Sequence, residues 1–305
     1  MVPGGDVSTA SFRMGGDDLV LPFQIEASGL RGRLVRFGPL LDDILGRHAY
    51  PEPVGHLLAE TVVLTALLAS ALKYDGVFTL QAKGDGAVRL LVADVTTGGA
   101  VRANAMFDES RLAGADTTVP ALLGKGYLAF TVDQGENTER YQGIVELTGE
   151  TLWECAQHYF RQSEQLQAGL RSAVRHGDKG WRGGGIMLQR LPDPEKQVPT
   201  DREDDWRRAM VLLGSATDAE LTEPALSGEA LLYRLYNEDG VRVFPSQPMR
   251  FSCRCSRERV ASMLKSMPKA EIESLAVDGR VEVACEFCNT RYSFDGEQLA
   301  ALYAA

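Results

Sequence analysis

The sequence predicts an α+β protein in three parts: an N-terminal mixed α/β core domain over residues 1–192, a helical linker over 193–248, and a small C-terminal domain over 249–305. Three observations lead there. Strand and helix patterns interleave through the first part without the strict alternation of a doubly wound sheet. From Asp193 the chain turns charge-rich, and its helical patterns carry apolar stripes too narrow to build a core alone. Four of the five cysteines fall in the last fifty-odd residues, in two unequal pairs.

Length and composition agree with this division. A chain of 305 residues has room for two domains, or for one large domain with a small appendage. With 44% hydrophobic and 24% charged residues it can bury a sizeable core. The net charge of −10 lacks the basic face that a general grip on nucleic acid or anionic lipid requires. The start, "MVPGGDVSTASFRMGGDDLV", has no basic-then-apolar-then-small arrangement, so no signal peptide is expected. The apolar run "AETVVLTALLASAL" (59–72) is shorter than the roughly 20 residues a bilayer crossing needs, and reads as a buried core helix. An odd number of cysteines without an export signal predicts a cytoplasmic protein, where thiols are kept reduced and clustered ones bind metal or react.

The elements follow in order. "LPFQIEASGLRGRLVRFG" is strand-like, alternating and broken by glycines; "LLDDILGRH" and "PVGHLLAETVVLTALLASALKY" are helical, the second with Pro53 in its first turn, where a missing N–H costs nothing. "GVFTLQ", "AKGDG" and "AVRLLVADV" predict a hairpin, with Asp-Gly supplying positive φ in the turn. "VRANAMF", "GYLAFTVDQ" and "RYQGIVEL" continue the strands. At "TGETLWECAQHYFRQSEQ" the period becomes helical: Thr151 and Glu154 make a capping box, and Leu152, Cys155, Ala156 and Tyr159 share a face. "RGGGIMLQRLP" reads as a turn before a closing strand.

Three short helices are expected in the linker, starting at Thr200 with Glu203, Thr217 with Glu220, and Ser227. Trp206, Met210 and Leu213 form the stripe of the first; Leu231, Leu232, Leu235 and Tyr236 that of the last. Such segments are ordered only by what they lean on. Beyond residue 249, "SRERVASMLKSM" and "PKAEIESLAVDG" are helical, while "RVEVAC" and "RYSFD" are strands about the turn "EFCNT".

The cysteine pattern is Cys253-Arg-Cys255, twenty-nine residues, then Cys285-Glu-Phe-Cys288. A tetrahedral zinc ion with Zn–S of about 2.3 Å needs sulfurs about 3.8 Å apart. A Cys-x-x-Cys corner presents two at that separation, and two extended residues at i and i+2 face the same way. One zinc ion on Cys253, Cys255, Cys285 and Cys288 is therefore the expected cofactor. Arg254, Arg257 and Arg259 crowd the first pair and would favour ionised sulfurs, or else form a solvated helix face. A unit this small needs a staple, and structural zinc supplies ~10–16 kcal/mol of apparent folding free energy. Each cysteine also has a neighbour within two or three positions, so an oxidant can join sulfurs within each claw and expel the metal, although a bridge across a single residue is tight and labile.

Other residues are expected to be bland. Cys155 reads as a small buried hydrophobe. His48, His56, His158 and His176 have no metal or carboxylate spacing and are expected on the surface or in loops, and Ser163 cannot face His158 from one helix. "GKGY" lacks the Walker spacing.

"FSCRCSRERV" and "VACEFCNTRYSF", with "GKGYLAFTVDQG", "RYQGIVEL", "HYFRQSEQ", "GGIMLQRLP" and "LLYRLYNEDGVRVF" in the same order, resemble the 33-kDa heat-shock chaperone family, the redox-regulated holdases, over nearly the whole chain. The resemblance implies a protein that is not an enzyme. It implies one zinc ion held by the four cysteines in a reduced, inactive form, and two disulfides, Cys253–Cys255 and Cys285–Cys288, in the oxidised form. It further implies that zinc release unfolds the small zinc-binding domain and linker, that the uncovered surface binds unfolding client proteins without ATP, and that the active form is a homodimer. No nucleic-acid or membrane partner is implied. A thiol-disulfide oxidoreductase is the alternative; its Cys-x-x-Cys would stand at a helix start, whereas this pair precedes a strand pattern. A nucleic-acid zinc module would rest on the arginines around Cys255 alone, against the acidic chain.

Overall fold

The computed structural model describes residues 16–112, 114, 116–135, 141–162, 167–190 and 202–303. Two strands, β1 (Leu19–Ile25) and β2 (Leu30–Phe37), lead into α1 (Pro39–Leu45) and α2 (Glu52–Ala71). Then come β3 (Val77–Gly84), β4 (Val88–Thr96), β5 (Ala100–Phe107), α3 (Val119–Leu122), β6 (Gly126–Asp133) and β7 (Tyr141–Glu146). The core closes with α4 (Leu152–Gln162), β8 (Ala168–Gly177) and β9 (Gly180–Arg190). Three helices follow, α5 (Arg202–Gly214), α6 (Asp218–Thr222) and α7 (Gly228–Tyr236), and three very short strands, β10 (Val241–Val243), β11 (Gln247–Pro248) and β12 (Arg250–Phe251). The C-terminal unit holds α8 (Arg257–Lys265), α9 (Lys269–Ser274), β13 (Arg280–Ala284), β14 (Arg291–Asp295) and α10 (Gly296–Tyr303). The α+β class expected from the sequence is the class observed.

Two sheets build the core. The first runs β10-β1-β2-β9-β8, with β11 also on β1; the second runs β12-β5-β4-β3-β6-β7. Helix α2 packs against both. Leu57, Leu58, Val62, Val63, Leu64 and Leu67 are all buried, and a helix apolar on every side must be covered on every side. At 20 residues α2 is long enough to cross a bilayer, so length does not exclude a span as the sequence reading held; instead, 83% of its apolar window is buried inside the protein.

The outer face of the first sheet carries α5, α6 and α7. Leu21, Phe23, Ile25, Leu30 and Leu34 meet Leu213, Leu221, Leu231, Leu232, Leu235 and Tyr236 in a second apolar cluster. Tyr236 is fully buried, its ring stacked on Phe23 at 6.1 Å between centroids. The caps expected at Thr217, boxed with Glu220, and at Ser227 are present. Thr200 lies outside the described residues, as does Ser163. The linker is not wholly helical. After Gly240 it adds β10 and β11 to the edge of β1, pieces of three and two residues that leave no periodic trace in sequence.

Other differences have physical reasons. The β3–β4 connection is not a positive-φ Asp-Gly turn: Gly86 keeps an ordinary φ, and its N–H donates to Leu123 O. Glycine is needed there because a Cβ would lie 2.4 Å from Leu122 O. The run Gly183 to Gly185 is not a turn but part of strand β9; a Cβ on Gly184 would lie 2.0 Å from Leu221 O, so the glycine lets α6 sit directly on the strand. Strand β8 has no clear alternation because it is covered by α2 on one face and by α5 and α6 on the other.

Candidate metal centre

The first cysteine pair hangs from the core. Strand β12 pairs in parallel with β5, matching Arg250 to Ala100 and Phe251 to Val101, and Ser252 N–H donates to Val101 O. Cys253 and Cys255 follow in the short connector that Ser256 ends by capping α8, its hydroxyl accepting from Arg259 N–H. The second pair sits at the corner between β13 and β14. Cys285 N–H donates to Thr290 O, Asn289 N–H donates to Cys285 O, and Asn289 takes φ of 57°, which an asparagine tolerates.

These two connectors bring all four sulfurs within 4.8 Å of one another. Cys253 Sγ lies 3.7 Å from Cys285 Sγ, and Cys255 Sγ lies 3.3 Å from Cys288 Sγ. The edge of a zinc–tetrathiolate tetrahedron is about 3.8 Å, so the donor set fits a single zinc-sized ion. Cys288 is buried and the other three are half-buried.

The electrostatics show what a cation would resolve. Burial pushes the thiol of Cys255 up to about 12 and raises that of Cys285 as well. Burial also acts to raise Cys288, but its hydrogen bonds with the Thr290 side chain and backbone overcome it and bring that thiol down to about 6. Four crowded thiols do not ionise together; a divalent cation at their centre inverts that balance. The Tyr292 hydroxyl donates to Cys255 Sγ at 3.1 Å, and the Thr290 hydroxyl lies 3.2 Å from Cys288 Sγ.

Of the two expectations for the arginines, the solvated helix face is the one that Arg257 and Arg259 meet, both being exposed on α8. Arg254 forms an ion pair with Asp94 on β4 at 2.6 Å. Arg257 donates to Ser293 O and Gln298 Oε1 and lies over the Phe294 ring, while Arg259 donates to Arg254 O. They brace the backbone and the domain junction rather than the sulfurs. Asp94 is buried, accepts from Thr79, and pairs with Arg102 at 2.7 Å. Phe287, between the cysteines of the second pair, lies 3.9 Å from the Arg102 guanidinium. Asn289 Nδ2 donates to Arg47 O. Residues inside both claws thus grip the N-terminal core.

Asp94, Arg102, Thr290 and Tyr292 were missed in the sequence. A carboxylate amid the apolar strand "LLVADV" was a readable signal, since a buried charge requires a partner. Tyr292 reads in the sequence only as part of the strand pattern "RYSFD". Cys155 is fully buried in the main core, its thiol pushed up to about 11 by burial. No histidine belongs to the cysteine cluster. His56 is on α2, half-buried and not a surface or loop residue; burial lowers its pKa, and its Nε2 lies 3.1 Å from Val174 O. Cys285 follows a strand and Cys288 leads into another, so neither stands at a helix start.

Comparison with known proteins places this arrangement. The family model described as Hsp33 protein matches residues 18–295. The 33 kDa chaperonin of Caulobacter vibrioides is 40% identical, spanning 92% of this chain and 95% of its own length. That of Ectopseudomonas mendocina is 38% identical over 94% of this chain and 96% of its own. The crystal structure of the 33 kDa chaperonin from Thermotoga maritima superposes with a TM-score of 0.81, covering 95% of this chain at 22% identity, which is evidence for the fold alone. With its family model spanning the core, the linker and the four-cysteine unit together, the chain belongs to the Hsp33 family.

Proposed function

We propose that this chain is a redox-regulated, ATP-independent chaperone that holds unfolding proteins under oxidative stress. The observation carrying that reading is the gathering of Cys253, Cys255, Cys285 and Cys288 within 4.8 Å on a unit whose own apolar cluster has only six buried residues among those described. In the reduced form the four sulfurs hold one zinc ion, which would keep them ionised and tie the two claws together. Val260, Leu264, Ile272, Val281, Phe294 and Leu299 are too few to keep the unit folded alone.

Oxidation joins Cys253 to Cys255 and Cys285 to Cys288, removing the ligand set. The two claws then separate, and Arg254 and Phe287 lose the geometry that docks them on Asp94 and Arg102. The domains divide at about residues 192 and 248, and the segment between them is released once its C-terminal anchor is gone. That uncovers Leu21, Phe23, Ile25 and Leu34 on the first sheet and the buried stripes of α5 and α7. Contiguous apolar surface of this kind binds the exposed segments of unfolding proteins. The reading assigns no catalytic residue, a homodimeric active form, a cytoplasmic location, and no nucleic-acid or membrane partner.

Light scattering of a thermally unfolding client tests it. Reduced, zinc-loaded protein should leave aggregation unchanged and peroxide-oxidised protein should suppress it; equal behaviour of the two forms overturns the proposal.

A further inference from the structure

We infer that the cavity at the C-terminal end of α2 binds a short-chain monocarboxylate of about six carbons, and that the bound ligand clamps the segment leading into the four-cysteine unit onto the core. The cavity has a volume of about 240 Å³ and lies between α2, β1, the β4–β5 turn and the linker. Val20, Ala69 and Val95 form its apolar wall, closed by Met249, and all four are buried in the main core. Gln247 and Met249 are the linker's share of the lining. Gln247 pairs with Val20 across β11 and β1, and its Nε2 donates to Thr97 O at 3.0 Å. Met249 N–H donates to Asp18 O at 2.8 Å. Cys253 follows Met249 by four residues, so a molecule filling the cavity touches both the core and the tether of the small unit.

The chemistry of the rim selects the ligand. Most polar groups there are already used. The Ser70 hydroxyl donates to Leu67 O and the Tyr74 hydroxyl to Val95 O, while the Thr97 hydroxyl donates to Tyr74 O and accepts from Gly76 N–H. Two donors are left. The exposed Lys73 ammonium has no carboxylate or carbonyl partner among the described residues. The Thr96 hydroxyl accepts from Ala100 N–H, and its own hydrogen is uncommitted. Among the described residues no carboxylate lines the cavity, so an amine finds no partner there. Arg33 Nε donates to Ser70 O at 3.0 Å and so covers the negative end of α2, which would otherwise oppose an anion. One ammonium and one hydroxyl match the two oxygens of a carboxylate, and the apolar wall takes its chain. At about 30 Å³ per non-hydrogen atom, the share of a molecule in liquid water, the cavity holds about eight such atoms, the size of hexanoate.

The test titrates hexanoate into full-length, reduced, zinc-loaded protein carrying isotope-labelled methionine methyl groups, with the Met249 signal assigned by its absence in Met249→Leu. That signal should move saturably, with a Kd of about 0.1–1 mM. Butanoate should bind more weakly, and octanoate and decanoate no more tightly than hexanoate, because the cavity is then full. Hexylamine should leave the signal in place. Lys73→Gln should weaken hexanoate about tenfold, the loss of one charge-assisted contact, whereas Lys73→Arg should retain most of the binding. With hexanoate at about ten times its Kd, hydrogen exchange at the amides of Met249 and Arg250 should slow about tenfold. An unmoved Met249 signal, equal binding of hexylamine, affinity that climbs through decanoate, or indifference to Lys73→Gln overturns the site. Binding without slower exchange overturns the clamp. Neither readout involves oxidation, so failure here leaves the redox reading standing, and failure of that reading leaves the site.

Discussion

Arg254, the single residue between the two cysteines of the first pair, places a guanidinium nitrogen 2.6 Å from Asp94 Oδ2 in the middle of the second sheet. The four-cysteine unit is thus joined to the core by a charge pair whose acidic partner is buried. Because Phe287 from the second pair stacks on Arg102, which shares Asp94, both claws meet the core at one point.

Asp94→Asn keeps the shape and removes the charge that two guanidiniums share. Arg254 is partly exposed, so the loss in docking should be modest, about 1–2 kcal/mol. Zinc transfer from the reduced protein to a chromophoric chelator should speed up about tenfold. An unchanged rate would show that the ion pair does not hold the unit in place.

Arg36 is the corresponding tie for the linker. Buried on β2, its guanidinium donates to the backbone carbonyls of Glu223, Leu226 (2.9 Å) and Glu220, around the end of α6. Arg36→Met leaves these acceptors without their donor at a cost of about 2 kcal/mol. Hydrogen exchange across α5 to α7 should quicken in the reduced protein, and client holding should appear without oxidant.

Chelation under reducing conditions should unfold α8 to α10 and the β13–β14 hairpin while the core remains. All three tryptophans precede this unit in sequence. Trp153 and Trp181 pack against the main core and Trp206 lies on α5 against the second cluster. Far-UV ellipticity should fall; fluorescence from a variant keeping only Trp206 should shift with it, and that from one keeping only Trp153 should not.

Glu60 offers a pH test. It is buried on α2, its Oε1 accepts Trp153 N–H at the start of α4, and desolvation raises its pKa to about 7. The unfolded chain releases this proton near the ordinary carboxylate value of about 4.5. The folded state therefore binds more protons between these two values, and stability falls as pH rises through that window. Glu154 is the charged neighbour that adds to the shift. Glu60→Gln keeps an acceptor without the charge, so the variant should gain on the wild type by about 3 kcal/mol at pH 8 and nothing at pH 4. Melting temperatures of both proteins across this range check it.

The sequence made the four-cysteine cluster legible because the donor pattern is local: two short cysteine spacings sufficed, and the four sulfurs meet. The caps at Thr151, Thr217 and Ser227 were legible for the same reason, each lying within three residues of its partner. What stayed hidden depends on distant contacts. Strand β8 lost its alternation because both faces are covered, and Gly183 to Gly185 looked like a turn because the helices that need the space arrive from elsewhere in the chain. Asp94 and Arg254 are far apart in sequence, and neither alone announces the other. The short strands β10 and β11 exist only through pairing with β1.

The most direct test of the central claim is zinc content and free-thiol count, measured together on one sample before and after peroxide, with thiols counted after denaturation. The account predicts one zinc and five thiols in the reduced protein, then no zinc and one thiol, that of buried Cys155, after oxidation. Reduced protein free of metal yet folded through residue 303, or zinc retained after the four thiols are lost, would contradict it.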